Sequence, residues 1–254
     1  MTRAILIVAG TAAFIYVGLC IVLFLYQRSL IYFPQAGSAA EGADTLVLTV
    51  EHARVLANTR PHSGPDAVIY FGGNAEDVSR SLPTLEAAFP GRALYALNYR
   101  GYGGSTGKPS EAALISDALA LFDRVHADHP HIVMIGRSLG SGVAVHVASA
   151  RPVERLVLVT PYDSLLEIAA AQFPFFPVRW LLIDRFESWR YAAGVTAPTL
   201  LIAAENDDVI PRASTESLRR RFRASLATLR ILARVDHNSI SESHEYIPAL
   251  QGTP

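Results

Sequence analysis

The residues best suited to chemistry lie in "HIVMIGRSLGSGVAVHVASA", His131 to Ala150, where an apolar run breaks at "GRSLG" and then turns helical. A serine placed on a sharp strand-to-helix turn sits in strained backbone, and small residues two positions to either side keep neighbouring chain clear of it. Gly136 and Gly140 occupy those two positions around Ser138. Ser138 would then stand at the head of a helix whose free amides and dipole favour a developing oxyanion, with the Leu139 N–H as one donor. The plainer account of the same residues is a serine N-cap followed by close helix packing.

A serine hydroxyl attacks a carbonyl only when a histidine takes its proton, and that histidine is oriented by a carboxylate. Downstream of "PTLLIAAE" the chain offers Asp207 and Asp208, and downstream of "TLRILAR" it offers His237. Serine, acid and base thus follow one another in the order expected when each stands at the end of a strand in an open sheet. A second oxyanion donor should come from the loop "GGNAED" after "AVIYF", with the Asn74 amide as candidate and Gly72 and Gly73 permitting close approach of a substrate carbonyl. A Gly-Gly turn with an asparagine cap is the alternative there.

Other constellations do not carry chemistry. "GSTGKP" has Tyr102 where a phosphate-binding loop needs its first glycine and Pro109 where it needs Ser or Thr, so nucleotide binding is unsupported. His126, His129 and His131 straddle Pro130 without a metal-binding motif, and no metal or organic cofactor is expected. The run "RRRFR", Arg219 to Arg223, reads as a solvated helix face. With 22 basic and 23 acidic side chains, charge gives no reason to expect a nucleic-acid partner. Cys20 is the single cysteine, so no internal disulfide framework exists.

The elements that must position these residues are legible as apolar runs: "TLVLTV", "AVIYFGG", "RALYALNYR", "HIVMIG", "RLVLVT", "PTLLIAAE" and "TLRILAR". Helix-like segments alternate with several of them, among them Ser110 to Asp128, Leu139 to Ala150 and Ser214 to Arg223. That alternation predicts a mainly parallel sheet with helices on both faces, in which ligands sit at the carboxyl ends of the strands.

The amino-terminal segment is different in kind. Ala4 to Tyr26 contains no charged, amide or histidine side chain, and at roughly 1.5 Å per residue it is long enough for a bilayer core of about 30 Å. Gln27-Arg28 follows where a signal peptidase site would need small residues, so an anchor is expected rather than a cleaved leader. Tyr26, Tyr32 and Phe33, with Arg28, read as an interfacial belt. The expected organisation is an anchor over 1–33, a linker over 34–44 and one catalytic domain over 45–254, single-pass, with that domain on the non-cytoplasmic face.

"LIYFP", "YFGGNAEDV", "NYRGYGGSTGKPSE", "GRSLGSGVAVHVAS", "PYDSL", "FPFFPVRWLLIDRFES", "AENDDVIP" and "DHNSI" occur in that order over nearly the whole chain. In this the chain resembles the small membrane-anchored abhydrolase-domain group of the α/β-hydrolase superfamily. The resemblance implies Ser138 as nucleophile, His237 as base, Asp207 as acid and Asn74 in the oxyanion loop. The histidine usual in that loop is Gly72 here, which removes the family's account of how the loop is braced. Only a short insertion, centred on "QFPFFPVRWLLIDRF", separates "RLVLVT" from "PTLLIAAE", a minimal lid that predicts a fairly open site. Phe173, Phe175, Phe176 and Trp180 within it would either wall an acyl chain or pack under the sheet. The activity expected is that of a serine hydrolase acting on esters or thioesters of lipid-like or acylated substrates. A peptidase or acyltransferase using the same residues, and a tethered scaffold without catalysis, are the rivals.

Overall fold

A computed structural model of the chain describes residues 1–37 and 44–252. Most of the linker expected over 34–44 therefore lies outside the described residues. Eight strands form one sheet in the order β1-β2-β4-β3-β5-β6-β7-β8: β1 Asp44–Val50, β2 Ala53–Arg60, β3 Asp66–Phe71, β4 Ala93–Leu97, β5 His131–Arg137, β6 Arg155–Val159, β7 Thr199–Ala204 and β8 Ala227–Leu232. β1 and β2 pair antiparallel, as do β2 and β4, and every later pairing is parallel. The strand order reverses between β3 and β5, which opens a crevice at their carboxyl ends, where open α/β sheets hold ligands.

The parallel strands are continuous apolar runs because both of their faces are covered. In β3, Ala67, Ile69 and Phe71 join the core on one face, while Val68 and Tyr70 join the core on the other. The first core takes in α3 (Glu111–His126) and α4 (Leu139–Ala150), and the second takes in α2 (Leu82–Ala88) and α8 (Tyr246–Gln251). α3 starts where the Ser110 hydroxyl accepts from the Ala113 amide, and buries Leu114, Ala118, Leu121, Phe122 and Val125 at helical spacing.

The insertion after β6 folds as α5 (Leu165–Gln172) and the single turn α6 (Val178–Leu181), ahead of β7. α7 spans Arg212–Arg219, shorter than the segment expected there.

The amino-terminal apolar segment is one helix, α1, Thr2–Ile31, long and apolar enough to cross a membrane. Its carboxyl end is not a free tether. Gln27 is 7% exposed; its amide nitrogen donates to the Leu181 carbonyl at 3.2 Å, and its oxygen accepts from the Ile183 amide at 2.7 Å. Arg28 Nε meets Asp184 at 3.0 Å, and the Tyr32 hydroxyl donates to the same carboxylate at 3.0 Å. Tyr32 is thus buried against the insertion and is not part of an interfacial belt. Further up the helix the Tyr16 hydroxyl donates to the Phe175 carbonyl at 2.9 Å, and its ring stacks on Phe176.

Candidate active site

Four loops converge at the carboxyl edge of the sheet. Ser138 follows β5 directly, with φ 48° and ψ −117°, a left-handed conformation that a residue bearing a Cβ occupies only under strain. The turn is tight because its glycines touch backbone. A Cβ on Gly140 would lie 2.1 Å from the Phe71 carbonyl oxygen, and one on Gly136 would lie 2.4 Å from that of Gly140. Although Ser138 is the N-cap of α4, its side chain makes no capping hydrogen bond. The hydroxyl instead lies 2.9 Å from His237 Nε2.

His237 follows β8, and its Nδ1 lies 3.0 Å from each carboxylate oxygen of Asp207 after β7. A carboxylate can only accept, so Nδ1 carries the proton and Nε2 faces Ser138 as an acceptor. Asp207 Oδ1 also accepts from the amides of Val209 and Ile210 at 3.0 and 2.7 Å, which fixes the carboxylate plane. His237 and Asp207 are both screened from water, at 8% and 7% side-chain exposure. Asp208 lines the cleft wall, and among the described residues it forms no hydrogen bond to His237, whose Nδ1 is taken by Asp207. His244, the other histidine after β8, lines no part of the cleft.

Beside Ser138 runs the loop after β3. A Cβ on Gly73 would sit 3.6 Å from that of Ser138. Among the described residues, the amides of Asn74 and Leu139 have no acceptor within the protein. Asn74 caps no helix; Asp77 caps the short turn that follows, and the Asn74 side-chain oxygen accepts from the Phe33 amide at 3.0 Å and from the Tyr102 hydroxyl at 3.2 Å.

Glu76 is the residue that sequence reasoning missed. One of its oxygens accepts from the Gly73 amide at 2.6 Å and from Arg137 at 3.3 Å; the other accepts from Tyr70 at 2.6 Å and Ser81 at 2.7 Å. Burial, reinforced by this carboxylate, pushes the Tyr70 phenol well above its ordinary range and keeps it a donor. Tyr99 holds the same loop from the other side, donating to the Gly72 carbonyl at 2.8 Å. The signal was an acid three residues after Gly73, in a loop whose customary histidine is absent.

Glutamine at position 76 would keep one acceptor oxygen and turn an NH2 group towards donors. In the ester hydrolysis that the sequence leads one to expect, Glu76→Gln should lower kcat by about tenfold to a hundredfold, less than outright loss of an oxyanion donor. KM for a short ester should move much less, and with kcat referred to sites counted by fluorophosphonate labelling, a mere loss of folded enzyme would leave both constants unchanged. Equal changes in both constants, or none, would count against Glu76 as a positioning residue.

Ser138, His237, Asn74 and Glu76 line one cleft of about 1350 Å³. One class of lining comes from α1 and the insertion, including Leu23, Phe24, Leu30, Phe173 and Phe176; another, including Asp77, Arg80, Asn238 and Ser241, comes from the loops after β3 and β8. Phe173 and Phe176 thus face the cleft, whereas Phe175 and Trp180 are 85% and 87% exposed, and none of the four packs under the sheet. The openness expected from a small insertion is reduced by α1, which supplies one wall. Of the three clustered histidines, His129 is buried between the Gly64 carbonyl and the Tyr95 hydroxyl. No group of three or more metal-binding side chains forms among the described residues.

A family model described as alpha/beta hydrolase fold matches residues 66–182. An uncharacterized protein of Mycobacterium tuberculosis, Rv2307c, is 40% identical over 85% of this chain and 82% of its own. The chain belongs to the α/β-hydrolase family. The lysophosphatidylserine lipase ABHD12 of Xenopus tropicalis is another relative, 31% identical over 46% of this chain and 36% of its own. Among solved structures, one described as a membrane phospholipase A and bacterial virulence factor superposes with a TM-score of 0.65 at 15% identity, covering 100% of this chain and 98% of its own. In this member of the α/β-hydrolase family, a serine after β5, an acid after β7 and a histidine after β8 meet at one sheet edge.

Proposed function

We propose that this α/β-hydrolase is a membrane-anchored serine hydrolase that cleaves carboxylic ester or thioester bonds of lipid-like or acylated substrates. Residues 1–33 serve as the anchor and 45–254 as the catalytic unit. The observation that carries the reading is the unbroken path from Asp207 through His237 to the Ser138 hydroxyl, at 3.0 and 2.9 Å, beside two amides that have no acceptor among the described residues. The family match and the lipase and phospholipase among similar proteins support hydrolysis of a lipid ester.

In the mechanism, the Ser138 oxygen bonds to the substrate carbonyl carbon while its proton passes to His237 Nε2. The carbonyl oxygen becomes an anion held by the amides of Leu139 and Asn74, and Asp207 balances the imidazolium. As the oxyanion collapses, the bond to the leaving oxygen or sulfur breaks, and His237 returns its proton to the leaving group. Water, deprotonated by the same nitrogen, then attacks the acyl-enzyme, and its proton is passed on to Ser138 as the acid departs. The test is turnover of a panel of acyl esters and thioesters by the full-length protein, with labelling by a fluorophosphonate. No turnover and no labelling would overturn the reading.

A further inference from the structure

Leu23, Phe24, Gln27, Leu30 and Ile31 all line the cleft that holds Ser138, and their spacing places them on one face of α1. Across from them stand Ile168, Phe173, Phe176 and Leu181 of the insertion. The contact between the two is extended. Gln27 bonds Leu181, and eleven residues earlier, about 16 Å along the helix axis, Tyr16 bonds and stacks on the Phe175-Phe176 turn. With α1 in a bilayer, the tip of the insertion follows it inward, which accounts for Phe175 and Trp180 being exposed together.

Resting on the serine-hydrolase reading above, we propose that α1 is a wall of the acyl subsite as well as an anchor. The substrate is a long-chain acyl ester resident in the membrane, which enters sideways between α1 and the insertion. Its chain lies along Leu23 and Phe24 with its carbonyl at Ser138, and its polar portion faces the loops that carry Asp77, Arg80 and Asn238. An acyl chain suits such a groove because both sides are aliphatic or aromatic. The first amide and charged groups after the span, Gln27 and Arg28, are already held by the protein, leaving the wall itself apolar.

The experiment uses full-length protein in phosphatidylcholine vesicles and p-nitrophenyl esters from acetate to palmitate, with rates normalised to active sites counted by fluorophosphonate labelling. Phe24→Trp fills the groove, whereas Leu25→Trp places an indole, with a larger gain in bulk, on the far side of the helix, where Leu25 is 67% exposed. The ratio of palmitate to acetate turnover is expected to fall roughly tenfold or more in Phe24→Trp, the effect of about 1.4 kcal/mol of lost chain binding. In Leu25→Trp it should stay within about twofold of the parent. If Phe24→Trp yields no labelled sites, Leu23→Trp is read in its place. An unchanged ratio in the groove variant, or an equal fall in both variants, overturns the subsite. A parent protein that labels but turns over no ester of the series overturns the long-chain subsite, and one that neither labels nor turns over any ester or thioester overturns the serine-hydrolase reading, so the two failures are distinct.

Discussion

Replacing Ser138 with alanine is expected to abolish fluorophosphonate labelling and to lower ester turnover by roughly 10⁴-fold or more, the loss typical when a nucleophile is removed from a serine-histidine-acid set. The same change should leave thermal stability within about 1 kcal/mol of the parent, since the hydroxyl's one side-chain contact is His237 and it caps nothing. The pairing of these outcomes is what discriminates. A helix-capping serine would show the reverse pattern, a loss of stability with activity kept. Full labelling of the alanine variant would remove Ser138 from the mechanism altogether.

The second large effect separates two adjacent acids. Asp207→Asn is expected to lower kcat by about 10³- to 10⁴-fold. The amide oxygen of the introduced side chain can still accept from the Val209 and Ile210 amides, and the turn should survive. Its NH2 group, however, would face His237 Nδ1 and favour the tautomer with the proton on Nε2, where it blocks transfer from Ser138. Asp208→Asn changes a side chain that makes no hydrogen bond to His237 among the described residues, and turnover should stay within about twofold. Steady-state kinetics on both variants is the measurement. A large loss in Asp208→Asn with Asp207→Asn near the parent would exchange their roles.

Much of this was readable in the chain because the chemistry is local to strand ends. The apolar runs of β3, β5 and β7 mark strands covered on both faces, and the chain just beyond them carries Asn74, Ser138 and Asp207, as the chain beyond β8 carries His237. Gly136 and Gly140 were legible for a steric reason, which the contacts of their missing Cβ atoms with the Gly140 and Phe71 carbonyls make explicit. Two features were not legible. The pairing of Glu76 with Gly73, Tyr70, Ser81 and Arg137 joins a loop to side chains up to 61 positions away, and nothing in "NAED" announces those partners. The docking of α1 was hidden because a lone apolar segment looks the same whether its end hangs free or packs. Gln27, Arg28 and Tyr32 were the clue, yet as isolated residues they read equally well as the water-facing border of a span. Their partners, Leu181, Ile183 and Asp184, lie over 150 residues later and come close only once the sheet has formed.

In the membrane-anchored reading proposed above, the seating of α1 also decides the dimensionality in which the protein works. An eleven-residue flexible tether would let a domain wander by about 18 Å. The Phe33 amide, only two residues beyond the helix, is instead held by Asn74 in the loop beside Ser138 and by Tyr102 after β4. With α1 spanning a bilayer, the reacting hydroxyl is thus held at a set height and facing one leaflet. For the membrane-resident substrate proposed above, encounters then follow two-dimensional diffusion within that leaflet, and turnover scales with the mole fraction of substrate among its lipids. Inert lipid added to the same membrane acts as a diluent even when the total amount of substrate is unchanged.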